Sequence, residues 1–417
     1  MSKRLRYETF DAVRGFAVLG ILLMNIVSMG LPSYAYVDPS YWGAEGPVDY
    51  ALWGVMYVLF DGKMRALFTM LFGASLVLIA ERAAARPDGR GPAATHYARM
   101  VWLFVFGMIH AWGLWYGDIL VQYAAGGAVM FLVWRWRPRA LLILAAAMLI
   151  VQLAMNYGHH YGLATTRAAA AAPGATEQAK QAWAEMLAAE VPDRAAAERE
   201  VRLYRDGGFA EAFEARKPMT IVFQTLLLPI SLPEIFAFMA FGMALFRNGF
   251  LTGSWSRRAY WSLVLLGYGV AAPLMIPVAR SIAAADWDPV LIPITDAGGL
   301  ILRPAIALAH ASALILLVQS GAARGLVERL AAAGRMAFSN YLGTTLVTTT
   351  LFYGYGLGLF GTLSRAELYL VVLGIWALIL FWSKPWLSRF AYGPLEWLWR
   401  SLAQGRTVPL RKLAIAS

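Results

Sequence analysis

The chain has 417 residues, of which 59% are hydrophobic and only 15% are charged, and its mean hydropathy is +0.56. So many long apolar runs could not be covered in a soluble protein, and the composition therefore excludes that class and indicates an all-α, polytopic membrane protein. The net charge of +11 is explained by basic cytoplasmic loops, since no basic run is interleaved with a stacking platform, and a nucleic-acid partner is not expected. With no cysteine, the chain cannot form disulfides, thiolate nucleophiles or cysteine-ligated metal sites.

The first apolar segment follows Lys3, Arg4 and Arg6, a charge pattern that also begins signal peptides. No clean small-x-small cleavage site follows, and the segment itself contains acidic and basic residues. We therefore expect a retained first helix, from about Ala12 to Leu31, which Pro32 ends.

Three polar residues lie in or beside that first helix, namely Asp11, Arg14 and Asn25. Polar groups at membrane depth are costly, so they usually line a cavity or contact a partner. Arg14 and Asn25 are eleven residues apart, about three helical turns, which places them on roughly one face and about 16 Å apart along the axis. This helix is the first functional candidate.

An aromatic loop, Tyr34 to Trp42, leads to an apolar stretch from Val48 to Ile79 that Phe60 to Arg65 interrupt. The stretch contains either two crossings, or a helix outside the bilayer and one crossing from about Ala66 to Glu81. Arginine-rich loops stay in the cytoplasm, and the next loop is rich in arginine, which favours a single crossing. Those arginines are Arg82, Arg86, Arg90 and Arg99.

The same loop-charge argument predicts ten crossings with both termini in the cytoplasm. It divides the chain into a membrane half (1–157), an external helical insert (158–217), a second membrane half (218–383) and a cytoplasmic interfacial tail (384–417). Within the insert, helical spacing is expected from Glu177 to Arg205. The crossings after the second are predicted at 100–116, from the Gly117–Asp118 turn to Arg135, and at 140–157, 220–246, 260–278, 297–319, 336–353 and 366–381.

Several blocks of the chain resemble the YeiB family of bacterial inner-membrane proteins. They are Asp11-x-x-Arg14-Gly15 with Asn25, F-D-G-K-M-R-A-L-F-T-M-L-F-G at 60–73, G-M-I-H-A-W-G-L-W-Y-G-D-I-L at 107–120, G-R-M-A-F-S-N-Y-L at 334–342 and G-P-L-E-W-L-W-R at 393–400. The resemblance implies a multi-pass protein of the bacterial inner (cytoplasmic) membrane.

The first helix is also similar to that of the transmembrane acyltransferases, which include heparan-alpha-glucosaminide N-acetyltransferase and acyltransferase family three. This similarity implies transfer of an acyl group, expected to be acetyl, from cytoplasmic acyl-coenzyme A. The acceptor would be a hydroxyl or amine of a glycan, a lipid or a small molecule. Arg14, with Asp11, would then hold the phosphorylated donor, because phosphates require cationic contacts.

Acyl transfer also requires a base that takes a proton from the acceptor and donors that hold the developing oxyanion. In acyltransferase family three the position that matches Asn25 is typically a histidine base, whereas asparagine cannot be a base. The heparan-related branch has asparagine there and a histidine in the following outer loop. Here that loop, 37–43, has no histidine, and Asp38 falls roughly at its place.

His110 and Glu234 are the other candidate bases. His110 is predicted mid-membrane, and Asp118 follows eight residues later, about 12 Å along a helix axis, so the two are not expected to form a preformed pair within one helix. The alternative for His110 is a structural histidine with interhelical hydrogen bonds. Glu234 follows Pro229 and Pro233, and a carboxylate in a helix broken by prolines suggests a cavity.

Further residues have a functional and a structural interpretation. Lys63 and Arg65 could bind an anionic acceptor or snorkel to the interface, and Asn340 with Tyr341 could line a cavity or pack between helices. Asp118 is grouped with these as a substrate-side residue.

The remaining histidines and one charged pair have simpler interpretations. His310 is paired by spacing with Arg303, and His96 is expected at the surface. Glu396 and Arg400 are expected to form an i, i+4 ion pair. His159 and His160 border the insert without further ligands, so no metal is expected.

The alternative function is a transporter or channel for a small metabolite, with Arg14, His110 and Glu234 along its path. No inverted repeat is visible, which weakens this alternative, and the absence of a phosphate-binding G-x-x-x-x-G-K-[ST] motif argues against an ATP-driven pump. The lipid bilayer is the expected environment, and a homo-oligomer is compatible with the sequence.

Overall fold

The computed structural model describes the backbone of residues 3–85 and 89–412, and the side chains from residue 8 onwards within those ranges. Lys3, Arg4, Arg6, Arg86 and the last residues of the tail, 413–417, therefore lie outside the described side chains. Within the described ranges the chain is helical, and its one β-bridge joins Phe390 to Arg411. The all-α class is confirmed.

The α-helices run in chain order with short turns between most of them. They are α1 Lys3–Gly30, α2 Pro47–Leu59, α3 Lys63–Ala84, α4 Pro92–Gly113, α5 Leu120–Met130, α6 Pro138–Ala171, α7 Glu177–Glu190, α8 Arg194–Arg205, α9 Phe209–Val222, α10 Leu228–Arg247, α11 Arg257–Val264, α12 Ala272–Ala284, α13 Ile292–Ser320, α14 Arg324–Arg335, α15 Ala337–Phe352, α16 Arg365–Arg389 and α17 Pro394–Gln404. Short 3₁₀ turns lie at Ser33–Tyr36 and Phe131–Val133, and π-helical turns join α9 to α10 and α11 to α12.

Seven helical segments among the described residues are long and apolar enough to cross a membrane. They are Glu8–Gly30, Pro47–Ala84, Pro138–Ala171, Phe209–Arg247, Arg257–Ala284, Ile292–Ser320 and Arg365–Arg389. The chain is thus a multi-pass membrane protein. The other three predicted crossings correspond to α4, α5 and α15, which fall short in length or in hydropathy, so the total of ten stays a prediction.

Helix α1 lies at the centre of the bundle, where it packs against α3, α13, α14, α15 and α16. Its contact with α14 is close because glycines face backbone on both sides. A Cβ on Gly15 would collide with the carbonyl of Leu330, and a Cβ on Gly334 would collide with the carbonyl of Asp11. Small residues allow membrane helices to approach in this way.

Several boundaries differ from the sequence prediction. Helix α6 continues past Tyr157 to Ala171, so the insert begins as an extension of a membrane helix. The helix around Glu234 is not broken: α9, a π-helical turn and α10 are continuous through Pro229 and Pro233. The wider turn, Phe223–Leu227, immediately precedes Pro229, whose missing N–H it accommodates.

The corner between α2 and α3 lies within the bundle, although the sequence predicted a helix outside the bilayer at this point. Gly62 has a φ of +70° and lies directly against the guanidinium of Arg303 on α13. The carbonyl of Leu59 accepts a hydrogen bond from His310 Nε2 at 2.8 Å, also on α13. A left-handed glycine therefore lets this corner approach the middle of a neighbouring membrane helix.

Candidate functional site

His110 is held between two side chains from different parts of the fold. Its Nδ1 lies 2.8 Å from Asp118 Oδ1, and its Nε2 lies 3.0 Å from the hydroxyl of Thr345 on α15. The Thr345 hydroxyl also lies 3.4 Å from the carbonyl of Tyr341, to which it donates. All three side chains are almost fully buried.

His110 and Asp118 form a pair, although no preformed pair within one helix was expected from the sequence. That expectation is valid only if the helix continues, but α4 ends at Gly113 and the chain reverses. The amides of Leu114 and Trp115 both donate to the carbonyl of His110 as the chain turns. Asp118 is then fixed by the amide of Val121, which donates to its second oxygen at 2.8 Å.

A small void adjoins this group. It has a volume of about 10 Å³ and is lined by residues of α1 and α15, among them Asn25, Tyr341 and Thr345. This is room for a single water molecule. The Tyr341 hydroxyl is buried without a hydrogen-bond partner among the described residues, and its ring lies 5.2 Å from the ring of His110. The structure thus brings together four predicted site residues: Asn25, His110, Asp118 and Tyr341.

Thr345 was missed by the sequence prediction. The only available signal was a run of threonines, Thr344 to Thr350, in an otherwise apolar helix. Most of these hydroxyls bond to a carbonyl three or four residues earlier in their own helix, as threonines in membrane helices commonly do. Spacing does not distinguish the one threonine that faces His110.

Arg14 and Asp11 lie together towards the N-terminal end of α1. Arg14 donates to Asp11 at 3.1 Å and to the hydroxyl of Ser75 on α3 at 3.0 Å. Arg82 and Arg335, which are both exposed, lie within electrostatic range of Asp11. Three guanidinium groups and two carboxylates, those of Asp11 and Glu396, thus lie within electrostatic range of one another, which leaves a positive charge excess that suits a phosphorylated ligand.

Lys63, Arg65 and Glu234 belong to a separate network around Arg303. Glu234 accepts from Arg303 at 2.6 Å and from Arg65 at 3.0 Å, so its lone pairs are committed to two guanidinium groups. Arg303 also donates to Asp296 at 2.8 Å. Lys63 is enclosed by protein, and its ammonium donates to the carbonyl of Tyr57 at 2.6 Å.

Asp38 and Asn340 lie apart from both groups. Asp38 accepts from the amide and hydroxyl of Ser40 within its own exposed loop. Asn340 is buried, donates to Ala333 and Ser383, and accepts from Trp382. Its hydrogen-bonding capacity is used between helices, which is the packing interpretation.

Three simpler expectations are wrong. His96 is not on the surface: α4 begins at Pro92, and His96 is buried with Nε2 at 2.9 Å from the carbonyl of Gly127. His310 does not pair with Arg303, but accepts at Nδ1 from the hydroxyl of Tyr268 at 2.5 Å. Glu396 does not pair with Arg400; it accepts from the amides of Phe338 and Ser339 at the start of α15, where helix amides lack partners.

A larger apolar cavity of about 530 Å³ lies on another face of α1. Its lining includes Leu19, Leu23, Phe60 and Trp376, with His310 and Tyr268 as polar residues in its wall. His310 is neutral in this arrangement, because Nε2 donates to a carbonyl while Nδ1 accepts from a phenol. A hydrocarbon chain would suit such walls.

Comparison with known proteins decides the family. The chain is 31% identical over 404 residues to the uncharacterised protein YeiB of Escherichia coli (strain K12), which covers 95% of this chain and 96% of that protein. This chain belongs to the YeiB family. It is also 27% identical to the uncharacterised protein YxaH of Bacillus subtilis (strain 168), over 98% of this chain and 96% of that protein.

The YeiB relationship extends over the whole bundle, including α1, α4 and α15. A family described as "Protein of unknown function (DUF418)" matches residues 245–406, which contain Thr345 and Tyr341. No solved structure matches the chain.

Proposed function

We propose that this YeiB-family protein is an integral-membrane acyltransferase. It would move an acyl group, most simply acetyl, from cytoplasmic acyl-coenzyme A to a hydroxyl or amine of a glycan, lipid or small molecule. The observation that carries the proposal is the placement of His110, with Asp118 on one ring nitrogen and a hydroxyl on the other. The proposed location is the bacterial inner (cytoplasmic) membrane, and the apolar membrane-spanning helices support a membrane location.

In the proposed reaction, His110 is the general base. The acceptor's hydroxyl or amine takes the place of the Thr345 hydroxyl, gives its proton to Nε2 and attacks the thioester carbonyl. The carbon–sulfur bond then breaks, and the coenzyme A thiolate takes the proton from His110. Asp118 keeps the proton on Nδ1 and stabilises the imidazolium that forms in between.

Asn25 has a role that does not require a base. It adjoins the same void as Thr345, and its side chain makes no hydrogen bond within the described part of the chain. An amide N–H aimed at a developing oxyanion typically contributes a hundredfold or more to the rate. We assign Asn25 this role, with the Tyr341 hydroxyl as a second donor.

The donor is assigned to the arginines around Asp11. Arg14 and Arg335 offer N–H groups to phosphate oxygens, and the predicted topology places them on the cytoplasmic side. Acyl-coenzyme A is a substrate in this scheme, and no metal participates.

Donor binding tests the proposal without knowledge of the acceptor. Purified protein is titrated with radiolabelled acetyl-coenzyme A, alongside Arg14→Gln and Arg335→Gln and the matched control Arg257→Gln, which changes an exposed arginine on the same predicted side. We expect saturable binding by the wild type and the control, and affinity at least tenfold lower for the two variants. Absence of binding by the wild type would refute the proposal.

The charge network gives a second candidate function, a transporter for a small metabolite. Glu234, Arg303 and Asp296 lie on membrane-spanning helices, and paired charges at that depth often mark ion or substrate paths. A transporter would show uptake into vesicles that Glu234→Gln abolishes and His110→Ala preserves. For an acyltransferase we expect the reverse: His110→Ala abolishes formation of the acylated product, and Glu234→Gln preserves it.

A further inference from the structure

Arg216 is a buried cation without an anion. Its side chain on α9 is fully buried, and its Nε donates to the carbonyl of Trp112 at 2.8 Å. Both terminal nitrogens, Nη1 and Nη2, have no hydrogen-bond partner within the described ranges. A buried charge that lacks a counterion strongly destabilises the folded state. We therefore expect either the protein itself or a bound ligand to supply a negative charge.

The fold does not supply it. Among the described residues no carboxylate forms an ion pair with Arg216, and the ionisable groups within electrostatic range are the phenols Tyr204, Tyr353 and Tyr355. Two aromatic rings, those of Phe209 and Phe213, lie 5.1 and 5.4 Å from the guanidinium carbon.

The neighbouring phenols have no acceptor outside their own pair within the described ranges. The rings of Tyr204 and Tyr353 stack with their centroids 4.5 Å apart, and their buried hydroxyls interact with each other but with no other hydrogen-bond partner among the described residues. Burial raises the pKa of Tyr204 well above its ordinary value, so this hydroxyl is a neutral donor. The two terminal nitrogens of the guanidinium and one phenol hydroxyl thus remain as unused donor groups at one place.

Glu200 is the acidic side chain that lies near these phenols, and it is already occupied. Its carboxyl accepts from the amide and the hydroxyl of Ser33, each at 3.2 Å. It lies within electrostatic range of Tyr204 and Tyr353 but forms no ion pair with Arg216. An ion from outside the chain is therefore needed to complete the group.

We propose that Arg216, Tyr204 and Tyr353 form a binding site for an oxyanion, the carboxylate or phosphate group of a small ligand. A guanidinium binds two oxygens of such a group, and phenol hydroxyls donate to the same acceptors. Helix α8, which carries Tyr204, places the site beside the insert.

The site contacts α4, the helix that carries His110. Arg216 bonds to the carbonyl of Trp112, two residues after His110 on α4, and Thr220 one turn later bonds to the carbonyl of Ala111. The anionic group is then part of the acceptor, held beside the base. This identification rests on the proposed function, whereas anion binding does not, and the experiment below measures binding without turnover.

The experiment measures thermal unfolding of the purified full-length protein in detergent. Potassium phosphate and potassium acetate are titrated separately against chloride at constant ionic strength. A ligand that binds only the folded state raises Tm with the logarithm of its concentration. We expect a rise with one or both anions, and the more effective of the two identifies phosphate or carboxylate as the preferred group.

Variants locate the response. Arg216→Met should abolish the rise, and Tyr204→Phe with Tyr353→Phe should move it to concentrations several-fold higher. Arg202→Gln removes an exposed positive charge from the same insert helix and should respond like the wild type. No rise in the wild type, or an equal rise in Arg216→Met, would overturn the site. If Arg216→Met does not fold, an unchanged response of the double tyrosine variant would overturn it.

Discussion

Glu200 shows at the scale of one residue how the external insert is attached. Its carboxyl binds the amide and hydroxyl of Ser33, at the outer end of α1, and burial raises its pKa to about 7. The fold therefore favours the protonated carboxyl. Its stabilising contribution is complete below the unfolded pKa of about 4.5 and is lost as the pH rises through 7.

This sign gives a pH-dependent prediction. Glu200→Gln stays neutral at every pH, so the variant should be more stable than the wild type above pH 7 and about equal to it near pH 4.5. Tm measured for both proteins from pH 4.5 to pH 9 provides the test. A difference that does not change with pH would show that this carboxyl does not titrate on folding.

The types of residue in the sequence predict only part of the candidate site. The sequence identified His110 and Asp118, and it identified Asn25 from the cost of a polar group in the first helix. Their convergence depends on the end of α4 at Gly113 and on the approach of α15, and no spacing along the chain encodes either. Glu396 was misassigned for a similar reason, because a carboxylate that caps a different helix has its partners 57 and 58 residues away.

Pairs of glycines determine the approach of whole helices. Where α3 crosses α10, a Cβ on Gly73 would collide with the carbonyl of Met239, and a Cβ on Gly242 would collide with the carbonyl of Met70. The contact is reciprocal, backbone against backbone, and neither carbonyl can move aside as a flexible side chain could. This crossing positions Glu234 opposite Arg65.

Gly242→Ala should accordingly destabilise the protein by about 2 kcal/mol, the usual cost of overpacking a close contact. Gly298→Ala on α13 is the matched control, because a Cβ there would meet nothing within 4 Å. It should leave stability unchanged or slightly raised, since alanine favours helix. Equal Tm values for the two variants would show that the α3–α10 crossing tolerates a methyl group.

Long apolar helices could be predicted from the sequence, whereas helices that are enclosed by other helices were harder to predict. Helix α1 and the consecutive insert helices α7 and α8 follow the local sequence pattern, and the structure confirms them. Helix α15 has only 16 residues, and much of its surface faces protein, so its composition carries little of the signal that lipid contact imposes.

At the scale of the whole molecule, the predicted sides of the membrane are consistent with the contacts. Residues predicted outside meet one another, as Arg167 meets Asp288 at 2.6 Å. Residues predicted inside do the same, as Lys384 meets Glu328 at 2.7 Å. Both ion pairs thus join segments that the prediction assigns to the same side.

The absence of cysteine makes this topology directly testable. Ala172 in the insert and Ala322 between α13 and α14 are both exposed, so each can be replaced by a single cysteine that reagents can reach. In intact cells, a membrane-impermeant maleimide should label Ala172→Cys and not Ala322→Cys, and lysis should make both reactive. Labelling of Ala322→Cys in intact cells would show that this loop is outside and would contradict the predicted topology.

Acyl transfer at His110 is tested most directly by a search for its product. Cells that lack the protein are given wild type, His110→Ala, Asp118→Asn or the exposed-site control His159→Ala, grown on ¹³C-acetate, and compared by untargeted mass spectrometry of lipids, glycans and small molecules. We expect a labelled acylated product that depends on the wild type or His159→Ala and falls at least a hundredfold in His110→Ala. A product unchanged in His110→Ala, or no acylated product that depends on the protein, would contradict the account.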